Sequence, residues 1–296
     1  MFNKLSPIPI TNQTHRRLLI FSMIWFFSGA WIDSSAHTYL IDDIETFFTP
    51  WHGVLYSGYA FSVLIVMYIK NKMKDYKFDI GVLGAVIFGI GGASDAIWHT
   101  LLGIETGVEP LITPSHLMLF LGSFLMLDYV FTTRPSKESL DNASIFSAAT
   151  SYGLVMFITL FINPFLNIWS FVEREDELAA GGVILQAMLA SFIFVYVVRF
   201  KVSPKQMSLV YLISFLYISI NPSLGEFNRT ILICVSGLLM SALIYQITKW
   251  YQTTNHDRKI QVSAALVAGY YSLVFVLHLM YFSALNGVDL SCRYYG

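Results

Sequence analysis

Charge is scarce in this sequence. Asp, Glu, Lys and Arg make up 12% of its 296 residues, against roughly a quarter in a soluble globular chain. Half the usual charge points to a chain embedded in lipid. The net charge is −1, so there is no overall basic footprint and nucleic acid is not an expected partner. Cysteine is nearly absent. Cys234 falls in an apolar run and Cys292 in the C-terminal tail, which excludes a disulfide framework. A cleavable signal peptide is not expected either. The segment up to Arg17 is polar, and the apolar run after it is long enough to span and lacks a small-residue cleavage pattern.

Apolar residues are abundant. They reach 55% of the chain, with a mean hydropathy of +0.60. A helix crosses a bilayer with about 20 apolar residues. Such runs occur at 18–38, 52–69, 79–101, 113–133, 145–169, 181–200, 207–224, 230–249 and 261–284. Basic residues orient them. With the N-terminus inside, only Arg174, Arg229 and Arg293 of the 18 Lys and Arg residues fall outside. The expected fold is therefore all-α: a polytopic transmembrane helix bundle of about nine spans, N-terminus inside and C-terminus outside. It reads as a cytoplasmic segment (1–17), a four-helix module (18–135), a C-terminal bundle of about five helices (136–285) and an outer tail (286–296). The expected location is the cell (plasma) membrane, with the lipid bilayer as first partner.

Ionisable residues are informative in such a chain, because burying them in lipid is costly. Seven histidines occur, and four of them form a repeat. One module reads Asp33-Ser-Ser-Ala-His37, then Glu45, then Thr49-Pro50-Trp51-His52. The other reads Asp95-Ala-Ile-Trp-His99, then Glu105 and Glu109, then Thr113-Pro114-Ser115-His116. Residues four apart share a helix face, so each Asp and the His that follows it point the same way near a helix end. Thr-Pro-x-His is a helix start: Thr caps, Pro takes the first helical position and His falls in the first turn. Each helical hairpin thus brings one carboxylate and two imidazoles together near the outer face.

Asp33, His37, His52, Asp95, His99 and His116 are the candidate metal ligands. Imidazole suits copper, zinc and iron, and two His with one carboxylate also describe the non-haem iron triad. Glu45, Glu105 and Glu109 are either partners that orient a ligating His or ordinary loop acids. His278, near the outer end of the last run, is a further candidate. The alternative to metal binding is that each Asp–His pair locks two helices together. Gly84, Gly89, Gly91 and Gly92 give the third run a small-residue face suited to close packing. Trp51 and Trp98 adjoin the ligand candidates and are placed to shield them.

Both modules resemble the C subunit of the copper membrane monooxygenases, the particulate methane and ammonia monooxygenases. In that family an Asp-x-x-x-His helix end precedes Phe-Thr-Pro-x-His, which here is Asp33, His37 and Phe48-Thr49-Pro50-Trp51-His52. A second hairpin of the family carries Asn-x-x-x-His and Pro-x-His, matched by Asp95, His99 and Pro114-Ser115-His116. The resemblance covers roughly residues 18–135 and keeps the order of the modules. It implies copper at two neighbouring positions. It also implies a place beside other membrane subunits in a complex that oxidises a small substrate with dioxygen. Asp95 departs from the family's Asn, which makes that site more anionic. The later helices have no counterpart in the resemblance. The chain also resembles bacterial and archaeal membrane proteins that share the stretch Glu-Thr-Phe-Phe-Thr-Pro-Trp-His.

These readings leave several functions open. One is a monooxygenase or monooxygenase subunit. Another is an accessory that binds or delivers copper without turnover, alone or as a homo-oligomer. A third is a zinc-dependent membrane hydrolase with Glu45 or Glu105 as general base. The last is a structural subunit clamped by Asp–His pairs.

Overall fold

The computed structural model describes residues 5–39, 47–103, 113–158, 176–219 and 227–286. Glu45, Glu105 and Glu109 lie outside the described residues, as do the side chains of His37 and His278. Nine helices occur among the described residues: α1 (Gln13–Tyr39), α2 (Pro50–Met73), α3 (Ile80–Leu102), α4 (Pro114–Thr132), α5 (Asn142–Ile158), α6 (Asp176–Val197), α7 (Pro204–Ser219), α8 (Phe227–Thr253) and α9 (Lys259–Asn286). Four are long and apolar enough to cross a bilayer: α2, α3, α4 and the Ile233–Thr253 part of α8. A helix suits that setting because it satisfies every backbone polar group internally. The chain is thus an all-helical membrane protein.

Local chemistry sets where the helices of the hairpins begin. Thr49 is extended, with φ −105° and ψ 158°, and its hydroxyl accepts from the His52 backbone N–H; Pro50 follows at the first helical position. α2 stops at Lys74, which takes a left-handed conformation (φ 54°) and returns its N–H to the last-turn carbonyls. The Asp79 carboxylate then caps α3 by accepting from Gly81 N and Val82 N.

Two compact units make up the chain, one over Met1–Ser151 and one over Tyr152–Ile220 and Leu224–Gly296. In the first unit α1 packs along α2, and α3 along α4. Glycine lets the backbones approach. A Cβ on Gly29 would lie 2.6 Å from Leu55 Cα, and one on Gly58 would lie 2.7 Å from Phe26 Cα. The second hairpin does the same: Gly91 would meet Leu119 N at 3.0 Å and Gly122 would meet Phe88 N at 2.6 Å. These pairs stand in register. Gly29 and Gly91 each precede the module's Asp by one turn, Leu55 and Leu119 each follow its helix-start His, and Phe26 with Gly58 matches Phe88 with Gly122. The duplication therefore extends from the polar residues into the packing. The small-residue face of α3 works in two directions: Gly84 and Gly91 meet α4, whereas Gly89 and Gly92 meet the phenols of Tyr59 and Tyr56 on α2.

Buried ion pairs tie the other ends of these helices. Arg16 is 1% exposed. Its guanidinium donates to both Asp141 oxygens at 2.7 and 2.6 Å, to the Val130 carbonyl at 2.7 Å and to Thr133 Oγ1 at 3.0 Å. Lys70 Nζ lies between Asp75, at 3.3 Å, and Asp79, at 2.5 Å. Burial works against ionising Asp141, but the hydrogen bonds from Arg16 and Ser144 outweigh it and hold its carboxyl below the usual carboxylate range.

In the second unit α7 packs on α8, and α9 on both α6 and α8. Hydroxyls bridge these contacts, as is common where lipid removes the hydrophobic drive between helices. Ser208 and Ser241 pair at 2.6 Å, Ser191 donates to the Ala264 carbonyl at 3.0 Å, and the buried Tyr211 hydroxyl donates to the Ala190 carbonyl at 2.5 Å.

Two outcomes are expected. Gly29→Ala and Gly122→Ala each force backbones apart and destabilise the protein by about 1–3 kcal/mol, whereas Gly53→Ala, with nothing within 4 Å of the new Cβ, is neutral; unfolding in detergent measures all three. Asp141→Asn leaves the Arg16 charge poorly compensated and costs about 3 kcal/mol at neutral pH. Because the folded Asp141 value is depressed, its contribution is complete above roughly pH 3.9 and fades as pH falls through the folded value. The gap between wild type and variant should therefore close on acidification.

Candidate metal centre

The fold gathers Asp33, His52, Asp95, His99 and His116 at one end of the first unit. Asp95 and His99 sit one turn apart on α3, and His116 is in the first turn of α4. Asp95 is 2% and His99 8% exposed. Asp95 Oδ1 lies 3.5 Å from His99 Nε2 and 3.6 Å from His116 Nδ1. The ligand atoms of the three residues lie within 4.8 Å of one another. In the first module His52, 5% exposed, brings Nε2 to 3.3 Å from Asp33 Oδ1.

The second-module distances are long for hydrogen bonds, and among the described residues Asp95 Oδ1 is buried with no hydrogen-bond partner. They do suit a shared ion. A tetrahedral ion with bonds of roughly 2.0–2.2 Å holds its ligand atoms roughly 3.3–3.6 Å apart, since a tetrahedral edge is about 1.63 bond lengths. The two Asp95–imidazole separations fall within that range, as does the Asp33–His52 separation of the other module. The donor set agrees: among the described residues the ion-pair neighbours of Asp95 are histidines. Neutral imidazoles leave its buried negative charge uncompensated, which a cation would remedy.

Two histidines are oriented through their other ring nitrogen. His52 Nδ1 meets the Phe47 carbonyl at 2.5 Å. A carbonyl only accepts, so a proton sits on Nδ1, and Nε2 is the nitrogen aimed at Asp33. His99 Nδ1 is likewise 3.3 Å from the Gly103 carbonyl, leaving Nε2 toward Asp95. Such partners fix the tautomer of a ligating His. His116 is held differently. The repeat led to the expectation that both threonines cap, yet Thr113 makes no side-chain cap. Its Oγ1 lies 2.7 Å from His116 Nδ1 instead. One hydroxyl is committed to the helix start in the first hairpin and to the ring in the second.

The two half-sites adjoin. The ring centroids of His52 and His99 are 6.4 Å apart, and those of His99 and His116 are 6.1 Å apart. Phe47 stacks on His52 at 4.5 Å and lies 6.2 Å from His99, so one phenyl ring covers both modules.

No protein-family model, curated protein or solved structure matches this chain. The site rests on its own geometry.

The structure brings Asp33, His52, Asp95, His99 and His116 together. His37 occupies its place on α1 one turn after Asp33. Sequence reasoning missed Phe47, having looked to Trp51 and Trp98 for shielding. It also missed Tyr56, one turn after His52, whose ring is 6.1 Å from that imidazole. The spacing of four from His52 was a readable signal that Tyr56 shares its face.

The unequal threonines give a test. The Thr113 hydroxyl sits on the same His116 nitrogen that faces Asp95, so Thr113→Val frees that nitrogen and should strengthen binding of Cu(II) or Zn(II) about fivefold, the loss of one competing hydrogen bond. Thr49→Val removes a cap, costing about 1 kcal/mol of stability, with a smaller effect on affinity. Chelator competition and unfolding measure the two effects separately.

Proposed function

We propose that this chain is a membrane metalloprotein whose first two hairpins hold copper in a paired Asp/His centre, as the resemblance to the monooxygenase C subunit implies. The observation that carries the reading is Asp95. Among the described residues its Oδ1 is buried without a hydrogen bond, and two imidazole nitrogens stand at tetrahedral-edge distances from it. The ligands in this reading are Asp33, His37 and His52 for one ion, and Asp95, His99 and His116 for the other. The bound ions would supply Lewis-acid or redox chemistry toward dioxygen, in company with other membrane subunits. Phe47 would exclude water above the imidazoles, while the carbonyls of Phe47 and Gly103 keep the His52 and His99 rings aimed. The same proposal includes nine spans in the plasma membrane, an inner N-terminus and a centre near the outer face. The 15-to-3 bias of Lys and Arg supports that orientation.

Full-length protein purified in detergent should carry copper, read by elemental analysis, with a Cu(II) paramagnetic signal from nitrogen and oxygen ligands. Asp95→Ala and His99→Ala should each lower the copper content. Zinc or iron in place of copper would overturn the metal assignment. Metal at background in the wild type, with stability unchanged in the double variant, would overturn metal binding altogether.

A further inference from the structure

Two hydroxyls beside the Asp/His cluster, Ser115 Oγ and Tyr56 Oη, are buried without a hydrogen-bond partner among the described residues, and Tyr56 carries the larger group. Its ring packs 5.7 Å from Phe47 and 6.2 Å from Phe88. The phenol reaches across to α3 at Gly92, where an added Cβ would stand 2.9 Å from Oη and 2.6 Å from Cε1. Gly92 precedes Asp95 by three residues, so the two share a face of α3. Tyr56 follows His52 by one turn of α2, with its ring 6.1 Å from that imidazole, and so lies between the His52 half-site and the Gly92–Asp95 face of α3.

Packing alone does not call for that hydroxyl. In the second hairpin the residue one turn after the helix-start His is Phe120, so the repeat accepts a ring without oxygen. Nor does this hairpin lack ways to satisfy a phenol. Tyr59, on the same helix, donates to the Ala85 carbonyl at 2.6 Å. A buried polar group left unmade is costly and is ordinarily paired. Tyr56 Oη and Asp95 Oδ1 are two such groups in one cluster.

We infer that Tyr56 Oη donates a hydrogen bond to a small oxygen- or nitrogen-donor ligand, such as hydroxide or azide, occupying the open coordination position of the ion held by these residues. This rests on the metal reading above. Three protein ligands leave such a position in a four-coordinate site. The phenol then positions and discriminates what binds there: ligands with a lone pair facing Oη are favoured over those without one.

The test is an azide titration of copper-loaded wild type, Tyr56→Phe and Tyr59→Phe, followed by the azide-to-copper charge-transfer band. Tyr56→Phe should keep its copper and thermal midpoint yet bind azide about tenfold more weakly, the loss of one hydrogen bond to a charged group. Tyr59→Phe should bind azide like the wild type. Equal azide affinity in wild type and Tyr56→Phe overturns the inference while leaving the metal reading intact. Loss of copper in Tyr56→Phe also overturns it, because the phenol would then be a ligand of the ion. A wild type that takes up no copper overturns the metal reading, and this inference with it.

Discussion

A carboxylate inside a helical membrane bundle has to be compensated, and Asp95 sets the terms for what surrounds it. Water is scarce at 2% exposure, and two imidazoles stand a little beyond hydrogen-bond reach of its Oδ1. A helix lock built from Asp and His would close those gaps to hydrogen-bond length. Separations that match the edge of a metal polyhedron fit a site in which a cation, rather than a proton, balances the charge. Asp33 and His52 repeat the arrangement, and the adjoining rings turn two half-sites into one cluster.

The glycines make that geometry reachable. His52 and His116 sit on different helices from their carboxylates, and ordinary side chains would hold those helices too far apart. Gly29 and Gly91, each one turn from the Asp, bring the backbones together where the imidazole must reach across. At the far ends of the same helices, Arg16 and Lys70 bind carboxylates in buried pairs. The first unit is thus pinned by ion pairs at one end and carries its Asp/His cluster at the other.

Much of this was legible in the sequence, for definable reasons. Helices were legible because a low-charge chain in lipid has few alternatives. The starts of α2 and α4 were legible because Thr-Pro dictates them, and the ligand face because residues four apart align. Less legible was anything decided by tertiary approach. Which atom Gly29 meets, whether the Thr113 hydroxyl turns to a backbone N–H or a ring, and which aromatic stacks on His52 all depend on the neighbouring helix. Nine apolar runs suggested nine spans, and the described residues hold four helices that meet the length and hydropathy of a span. Among the described residues a further apolar helix, Gly181–Val197 of α6, falls short of those four in length.

The central claim is that Asp95, His99 and His116 share an ion with the Asp33 module beside them. An anomalous-scattering map from crystals of the copper-loaded protein tests it most directly. The account predicts a copper peak roughly 2.0–2.2 Å from both Asp95 Oδ1 and His99 Nε2, with a second peak beside Asp33 and His52. Copper peaks confined to surface histidines such as His256, with none between Asp95 and His99, would contradict it.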